Sequence, residues 1–379
     1  MGWIAALTMF ARNDDGPMTI THNGPILEVD LAAIARNYAL LKGKLAGGAC
    51  AAVVKAGAYG LGVKAVAPAL FDAGCRDFFV ATLDEAIELR AVLDDGDEPR
   101  VLLGDHNIYV FHGMRERQNK DFTHHRLIPV LSSHEQIRHW NNSGPCALHI
   151  DTGMNRLGLP PEEARDLQPA TRNLQLVMSH LACASEPQHP MNEQQLGAFT
   201  AALAHFPRIP ASLANSSGIF LGERYHFALA RAGCSLYGIS PDTARPNPME
   251  NVVTLSAPVL QYRFVKTRQS VGYGATASVP AGAVLATVEL GYADGFLRHL
   301  SNHAHGFAAG YRVPLVGRVS MDMVSLDVTG VPEHLRTPDL RIIFIGREQP
   351  VDALAKDAGT IGYEVFTRLG SRVQRVYGD

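Results

Sequence analysis

Ala51–Gly62, AAVVKAGAYGLG, is a short apolar run broken by one lysine, then a string of small residues and glycines around a single tyrosine. Four apolar residues without polar alternation read as a strand buried on both faces, as in a parallel sheet. Lys55 ends that strand, where an ammonium is costly unless it is paired, neutralised or used covalently. One reading makes Lys55 a Schiff-base lysine, with Tyr59 offering its hydroxyl to a phosphate across a loop kept small for close approach. The other makes it a strand-end lysine whose stem snorkels to water before an ordinary glycine turn.

Outward from this stretch, the chain alternates strands with helices from residue 25 onward. Pro25–Asp30 (PILEVD) reads as a strand, with Asp30 placed to cap a helix over Leu31–Lys44. Further strands are expected at Cys50–Val54, Asp77–Ala81, Val101–Leu103, Leu127–Leu131, Ala147–Asp151, Leu174–His180, Ser212–Ala214 and Leu229–Ala232. Helical patterns fill most gaps, clearest at Leu83–Leu93, Pro161–Leu167 and Asn192–Phe206. Eight of these strands with intervening helices close a (β/α)8 TIM-type barrel, leaving Pro25–Asp30 free to pair outside it. An open doubly wound sheet is the alternative, but no GxGxxG follows the first strand.

The texture changes near residue 250. Val252–Val265, Ala283–Leu290, Val313–Val316, Met323–Val328 and Leu340–Ile345 are β-branched and separated by Gly, Pro and Asp turns. They predict a mostly antiparallel C-terminal β-domain, closed by a helical stretch at Val351–Arg368 and a strand at Arg372–Tyr377. The expected division is therefore a leader over 1–24, a barrel over 25–250 and a β-domain over 251–379, with Pro241–Glu250 as the hinge.

Composition excludes several classes. With 46% apolar and 19% charged residues in 379, the chain can fill a large core and is not disordered. A net charge of −3 with scattered lysines and arginines does not suit nucleic acid. Five widely spaced cysteines without a CxxC signal neither a disulfide framework nor a metal site, and a reducing, cytoplasmic setting is expected. No run approaches a membrane span.

In a barrel the strand ends form one rim, so the polar residues there are read together. Arg156 lies in the loop of ALHIDTGMNRLG, His180 ends VMSH, Asn215 and Ser216 lie in LANSS, and Arg231 precedes Gly233 and Cys234 in ARAGCSLYG. Singly, His180 reads as a bonded core histidine, Arg231 as an ion-pair partner and Asn215–Ser217 as a helix cap. Their joint appearance at strand ends favours a site.

The motifs AVVKAGAYGLG, HIDTGMNRLG, ANSS, RAGCSLYG, GYGATASVP, ELGYADGF and VGRVSMD, in this order, resemble alanine racemase, the fold-type III pyridoxal-phosphate enzyme family. The resemblance runs from about Leu27 to Tyr377. It implies pyridoxal 5'-phosphate as cofactor, alanine as substrate, no metal, and a head-to-tail homodimer with shared sites. It also implies Lys55 as the cofactor-bearing lysine and one base, with Tyr273 of the partner subunit as the other. The substrate carboxylate falls to Arg156 and the backbone N–H of Met321, and Tyr292 stands at the substrate channel. The phosphate falls to Tyr59, Ser216 and backbone N–H groups around Gly233 and Cys234, with Asn215 beside them. Arg231 faces the cofactor ring nitrogen, and His180 accompanies it.

Several positions depart from the family's usual pattern. Gly57 replaces an Asp or Asn, and Leu61 a frequent His. His149 stands where many relatives carry a carbamylated lysine that steadies the active-site arginine, and it cannot carry a carbamate. Ser371 stands where a phosphate-side tyrosine is expected. A same-fold racemase of broader specificity or a pyridoxal decarboxylase is the second reading. A non-catalytic pyridoxal-phosphate carrier is the third, and the β-domain bearing Tyr273 and Met321 argues against it.

Overall fold

A computed structural model describes residues 24–94, 106–163, 167 and 173–378. Nine strands come first: β1 (Ile26–Asp30), β2 (Ala49–Val53), β3 (Asp77–Val80), β4 (Asn107–Val110), β5 (Ile128–Leu131), β6 (Cys146–His149), β7 (Leu174–Met178), β8 (Ala211–Ser212) and β9 (Leu229–Ala232). Strands β2 to β9 pair in parallel in the order β8-β7-β6-β5-β4-β3-β2-β9. A bridge between Asn215 and Arg231 brings the two ends together. The Ala228 and Arg231 N–H groups donate across that seam to the Ala211 and Ala214 carbonyls at 3.1 and 2.9 Å. This is the expected eight-stranded barrel.

The doubly apolar reading of the barrel strands holds for a simple reason. Ala51 and Val53 point inward with Phe79, Tyr109, Ile128, Val130, Ala147, Leu176, Met178 and Leu229, filling the barrel as a separate cluster. Cys50, Ala52 and Val54 point outward into the layer beneath the helices. Phe79 stacks on Tyr109 and Phe111 with centroids 4.4 and 5.0 Å apart, closing the interior below Lys55.

The strand expected at Val101–Leu103 lies outside the described residues. The barrel strand between β3 and β5 is β4, NIYV, which the sequence reading passed over because it is short and opens on His106 and Asn107. The helix expected over Pro161–Leu167 falls partly outside the described residues; residues 161–163 form a 3-10 turn. Asp30 caps the helix Leu31–Gly43 as expected, its carboxylate accepting the Ala33 N–H at 2.6 Å.

After the barrel come β10 (Val253–Phe264), β11 (Gln269–Val271), β12 (Ala277–Val279), β13 (Val284–Val288), β14 (His305–Ala308), β15 (Tyr311–Pro314), β16 (Val324–Asp327), β17 (Arg341–Ile345) and β18 (Gln374–Gly378). Their main sheet runs β15-β14-β17-β10-β1-β18, with β13 and β16 attached through β10. The twelve-residue β10 is the hub, pairing antiparallel with β1, β13 and β17. Pro258 sits in it opposite Arg341, between two breaks in register.

The first strand therefore belongs to this second sheet. β1 lies between β10, antiparallel, and β18, parallel, with Leu27 opposite Leu255 on one side and Arg375 on the other. Asn37, on the helix that β1 feeds, donates to the Leu236 and Glu250 carbonyls and accepts the Glu250 N–H. The sequence reading also passed over the β11–β12 hairpin and β14, which are three or four residues long and partly exposed.

Leu27 is fully buried in β1. Leu27→Ala should cost about 2–5 kcal/mol, read as a lowered urea midpoint at unchanged m-value; a loss under about 1 kcal/mol would show that β1 does not anchor the second sheet.

Candidate active site

Lys55 opens a turn that L-residues resist. Ala56, Gly57, Ala58 and Tyr59 have φ of 53, 59, 55 and 57°, so the chain turns left-handed for four successive residues. Three of them carry a Cβ, at a cost of roughly 1–2 kcal/mol each. The turn closes through Ala58 N–H to Val54 O at 2.8 Å, Gly60 N–H to Ala56 O at 2.7 Å and Gly62 N–H to Gly57 O at 2.8 Å. Glu85 clamps its entrance: Oε1 accepts the Ala56 N–H at 2.7 Å and Oε2 accepts the Ala81 N–H at 2.8 Å. The glycine-rich sequence thus builds a strained, fixed support, which is where strain tends to collect in functional proteins.

Lys55 is half-buried with Nζ 5.8 Å from the centre of the Phe111 ring. Its pKa is lowered, first by burial and then by the Arg156 charge, while Glu85 works the other way. A lysine so placed has more of the free amine available at neutral pH.

Arg231 is the deepest charge at the site, 1% exposed. One terminal nitrogen donates to Ser212 Oγ; the other reaches the Ser179 carbonyl at 2.6 Å and His180 Nδ1 at 3.2 Å. Its Nε is buried and has no hydrogen-bond partner among the described residues. Burial pushes its pKa down to about 9. Because the guanidinium only donates, His180 accepts at Nδ1 and carries its proton on Nε2. Burial, then Arg231, hold the His180 pKa well below its ordinary value. His149, buried nearby, is pushed down to about 4 by burial, then by Arg231.

At the other side of the barrel mouth Tyr59 lies against Tyr237, centroids 4.8 Å apart, and edge-on to Tyr363 at 6.3 Å. Ser216 Oγ accepts the Gly233 N–H at 2.8 Å and the Ser235 N–H at 3.3 Å. A Cβ on Gly233 would stand 2.6 Å from the Tyr59 hydroxyl, so glycine there keeps the cradle open. Cys234 borders the same space, its thiol pKa raised by burial. Asn215 spends its side chain on the loop itself, Oδ1 accepting the Gly218 N–H at 2.9 Å, which is the cap reading.

Arg156 is exposed in a loop built on Asp151, whose Oδ1 accepts the N–H groups of Gly153, Met154 and Asn155 and whose Oδ2 accepts that of Arg156. These four bonds lower the Asp151 pKa against the opposing effect of burial and leave Arg156 without a carboxylate partner among the described residues.

Pyridoxal phosphate fits these residues on two counts. Among the described residues the orphaned Arg231 Nε is a donor awaiting an acceptor such as a ring nitrogen, and the Tyr59 and Ser216 hydroxyls beside Gly233, which carries no side chain, are donors suited to a phosphate.

The remaining candidates are elsewhere. Tyr273 is 70% exposed on the β11–β12 hairpin, and no hydrogen bond joins it to the Lys55 group among the described residues. Tyr292 and Met321 come together, the Tyr292 and Ala293 N–H groups donating to the Ser320 and Met321 carbonyls at 3.1 and 2.9 Å. Both are exposed. Tyr363 was missed by sequence reading, which looked for the phosphate-side tyrosine at position 371. It comes from the helix Gly362–Arg368 and arrives beside Tyr59 only through the fold.

Comparison with known proteins gives a consistent result. Residues 29–241 match the family described as alanine racemase, N-terminal domain, and residues 252–377 match alanine racemase, C-terminal domain. An alanine racemase of Rhodospirillum rubrum is 50% identical over 366 residues, covering 93% of this chain and 96% of its own. A catabolic alanine racemase of Agrobacterium fabrum is 44% identical, covering 93% and 91%. The crystal structure of alanine racemase from Bartonella henselae with covalently bound pyridoxal phosphate superposes with a TM-score of 0.85 at 36% identity, covering 94% of this chain and 99% of that one.

The depressed pKa of His149 has a consequence for stability. Above about pH 6.5 the residue is neutral in both folded and unfolded chains; between there and about pH 4 only the unfolded chain takes up its proton, so acidification destabilises the fold. Urea unfolding of the cofactor-free protein should show stability falling over this window, and His149→Gln should reduce the slope by about 1.4 kcal/mol per pH unit. An unchanged slope would mean His149 is not held neutral.

Proposed function

The chain belongs to the alanine racemase family, and on that premise we infer that it interconverts L- and D-alanine through two proton-handling groups, Lys55 of one subunit and Tyr273 of the partner subunit. When bound, pyridoxal phosphate withdraws electrons from the substrate Cα and makes its proton acidic. The observation that carries the reading is Arg231: a buried guanidinium whose Nε has no hydrogen-bond partner among the described residues, bonded to His180 on the same rim as Lys55.

Each residue has a separate task. Lys55 Nζ, its pKa lowered by burial and by Arg156, exchanges a proton with one face of Cα. Tyr273 serves the other face. A free tyrosine ionises near pH 10, so it needs a positive or hydrogen-bonding environment to act as a base. His180 offers an Nε2–H and Arg231 the charge behind it, an environment that would serve a tyrosine brought to this rim by the partner subunit. Arg156 and the Met321 N–H hold the alanine carboxylate, and Tyr292 lines the approach. Tyr59, Ser216, Gly233, Cys234 and Tyr363 surround the phosphate. Arg231 donates and cannot protonate a ring nitrogen, which limits electron withdrawal and disfavours reactions such as transamination that need long-lived charge at Cα.

A homodimer with shared sites would bring the exposed Tyr273 of one subunit to the Lys55 of its partner, and the 70% exposure of Tyr273 supports this reading. Lys55→Ala and Tyr273→Phe should each be inactive alone. Mixed and reassociated, about half the dimers are hybrids with one intact site, so activity should return to about a quarter of wild type. Verified hybrids without activity would place both residues in one chain's site.

A further inference from the structure

The last strand of the chain ends against the turn that carries Lys55. Arg375, in β18, donates from Nε to the Gly60 carbonyl at 3.1 Å. Its other nitrogens reach the carbonyls of Leu369 at 2.6 Å, Gly370 at 2.5 Å and Val373 at 2.7 Å. Among the described residues no carboxylate pairs with it. Two residues on, the Tyr377 hydroxyl donates to the Leu61 carbonyl at 3.0 Å. Gly60 and Gly62 have φ of 82 and 101°, and both are tightly faced: a Cβ on Gly60 would lie 2.5 Å from the Phe366 carbonyl, and one on Gly62 would lie 2.0 Å from the Tyr377 hydroxyl.

We propose that Arg375 and Tyr377 are positioning residues for Lys55, holding the exit of its left-handed turn as Glu85 holds the entrance. The turn runs against the ordinary preference of Ala56, Ala58 and Tyr59, so its shape persists only where the surroundings fix it from both ends. The entrance is fixed from within the barrel, by Glu85. The exit is fixed from the second sheet, because β18 pairs with β1 and projects Arg375 and Tyr377 onto residues 60 and 61. A guanidinium suits this place, since its planar fork can serve four carbonyls that splay apart, whereas an ammonium has three donors. The geometry of the lysine is thus completed by residues at the far end of the chain.

The proposal rests on reading Lys55 as the catalytic lysine, and its test separates the two. Arg375→Gln and Tyr377→Phe are compared with Arg375→Lys and wild type by amide hydrogen exchange of the cofactor-free full chain and by alanine kinetics of the holoenzyme. Arg375→Gln should speed exchange at residues 58–62 at least about tenfold while β5 and β6 exchange as in wild type. It should also lower kcat about tenfold with KM changed less than about twofold, with Arg375→Lys recovering part and Tyr377→Phe giving a smaller effect of the same kind. Unchanged exchange at 58–62, acceleration spread evenly over the barrel, or local acceleration with wild-type kcat would each overturn the assignment. Failure of the Lys55 reading shows independently, as racemisation surviving in Lys55→Ala.

Discussion

Everything at this site hangs from a left-handed turn. Lys55 stands at its first position, above a barrel interior closed by Phe79, Tyr109 and Phe111, and four residues with φ near +55° follow it. Such a turn is stable only by consensus of its neighbours. Val54 and Glu85 supply partners at its start, Tyr237 and Tyr363 pack against Tyr59 at its end, and the Phe366 carbonyl leaves room at Gly60 for no side chain. The small residues of AAVVKAGAYGLG are what permit this crowding. The lysine is fixed by its backbone, so its Nζ remains free for chemistry.

The second constraint is charge. Lys55, Arg156 and Arg231 converge on the barrel mouth, and no carboxylate forms an ion pair with any of them among the described residues. Asp151 is occupied by four backbone N–H groups, and Glu85 by the entrance of the turn. The two histidines present, His149 and His180, are both driven towards the neutral form. A mouth with unneutralised cations and neutral imidazoles is arranged for an anionic guest, as a phosphate and a carboxylate would provide. It also explains why His149 is compatible with the position: an imidazole held neutral adds no further positive charge beside Arg231.

Much of this was legible in the sequence. The double apolar burial of the barrel strands, the Asp30 cap and the shift to short β-branched segments near residue 250 are local patterns, and the structure repeats them. The rim residues Lys55, His180, Ser216 and Arg231 stood at strand ends and could be read as a group. What escaped was decided by tertiary structure. β4 is four residues beside polar neighbours, without a run long enough to register. The left-handed turn has helical hydrogen bonds, and three of its four residues with φ near +55° carry a Cβ, so its handedness has no local signal. Tyr363 and Arg375 reach the Lys55 turn from the other end of the chain, and no spacing rule connects residues 60 and 375. Asn215, read singly as a cap and jointly as a site residue, makes the cap bond, its Oδ1 accepting the Gly218 N–H.

The account stands or falls on Lys55 as the residue that bears the cofactor. Reduction of the holoenzyme with labelled borohydride, followed by peptide mapping, tests it directly. The label should be found on the peptide containing Lys55, with Lys55→Ala unlabelled; label on Lys44 or Lys64 would contradict the assignment of the turn and of the site built around it.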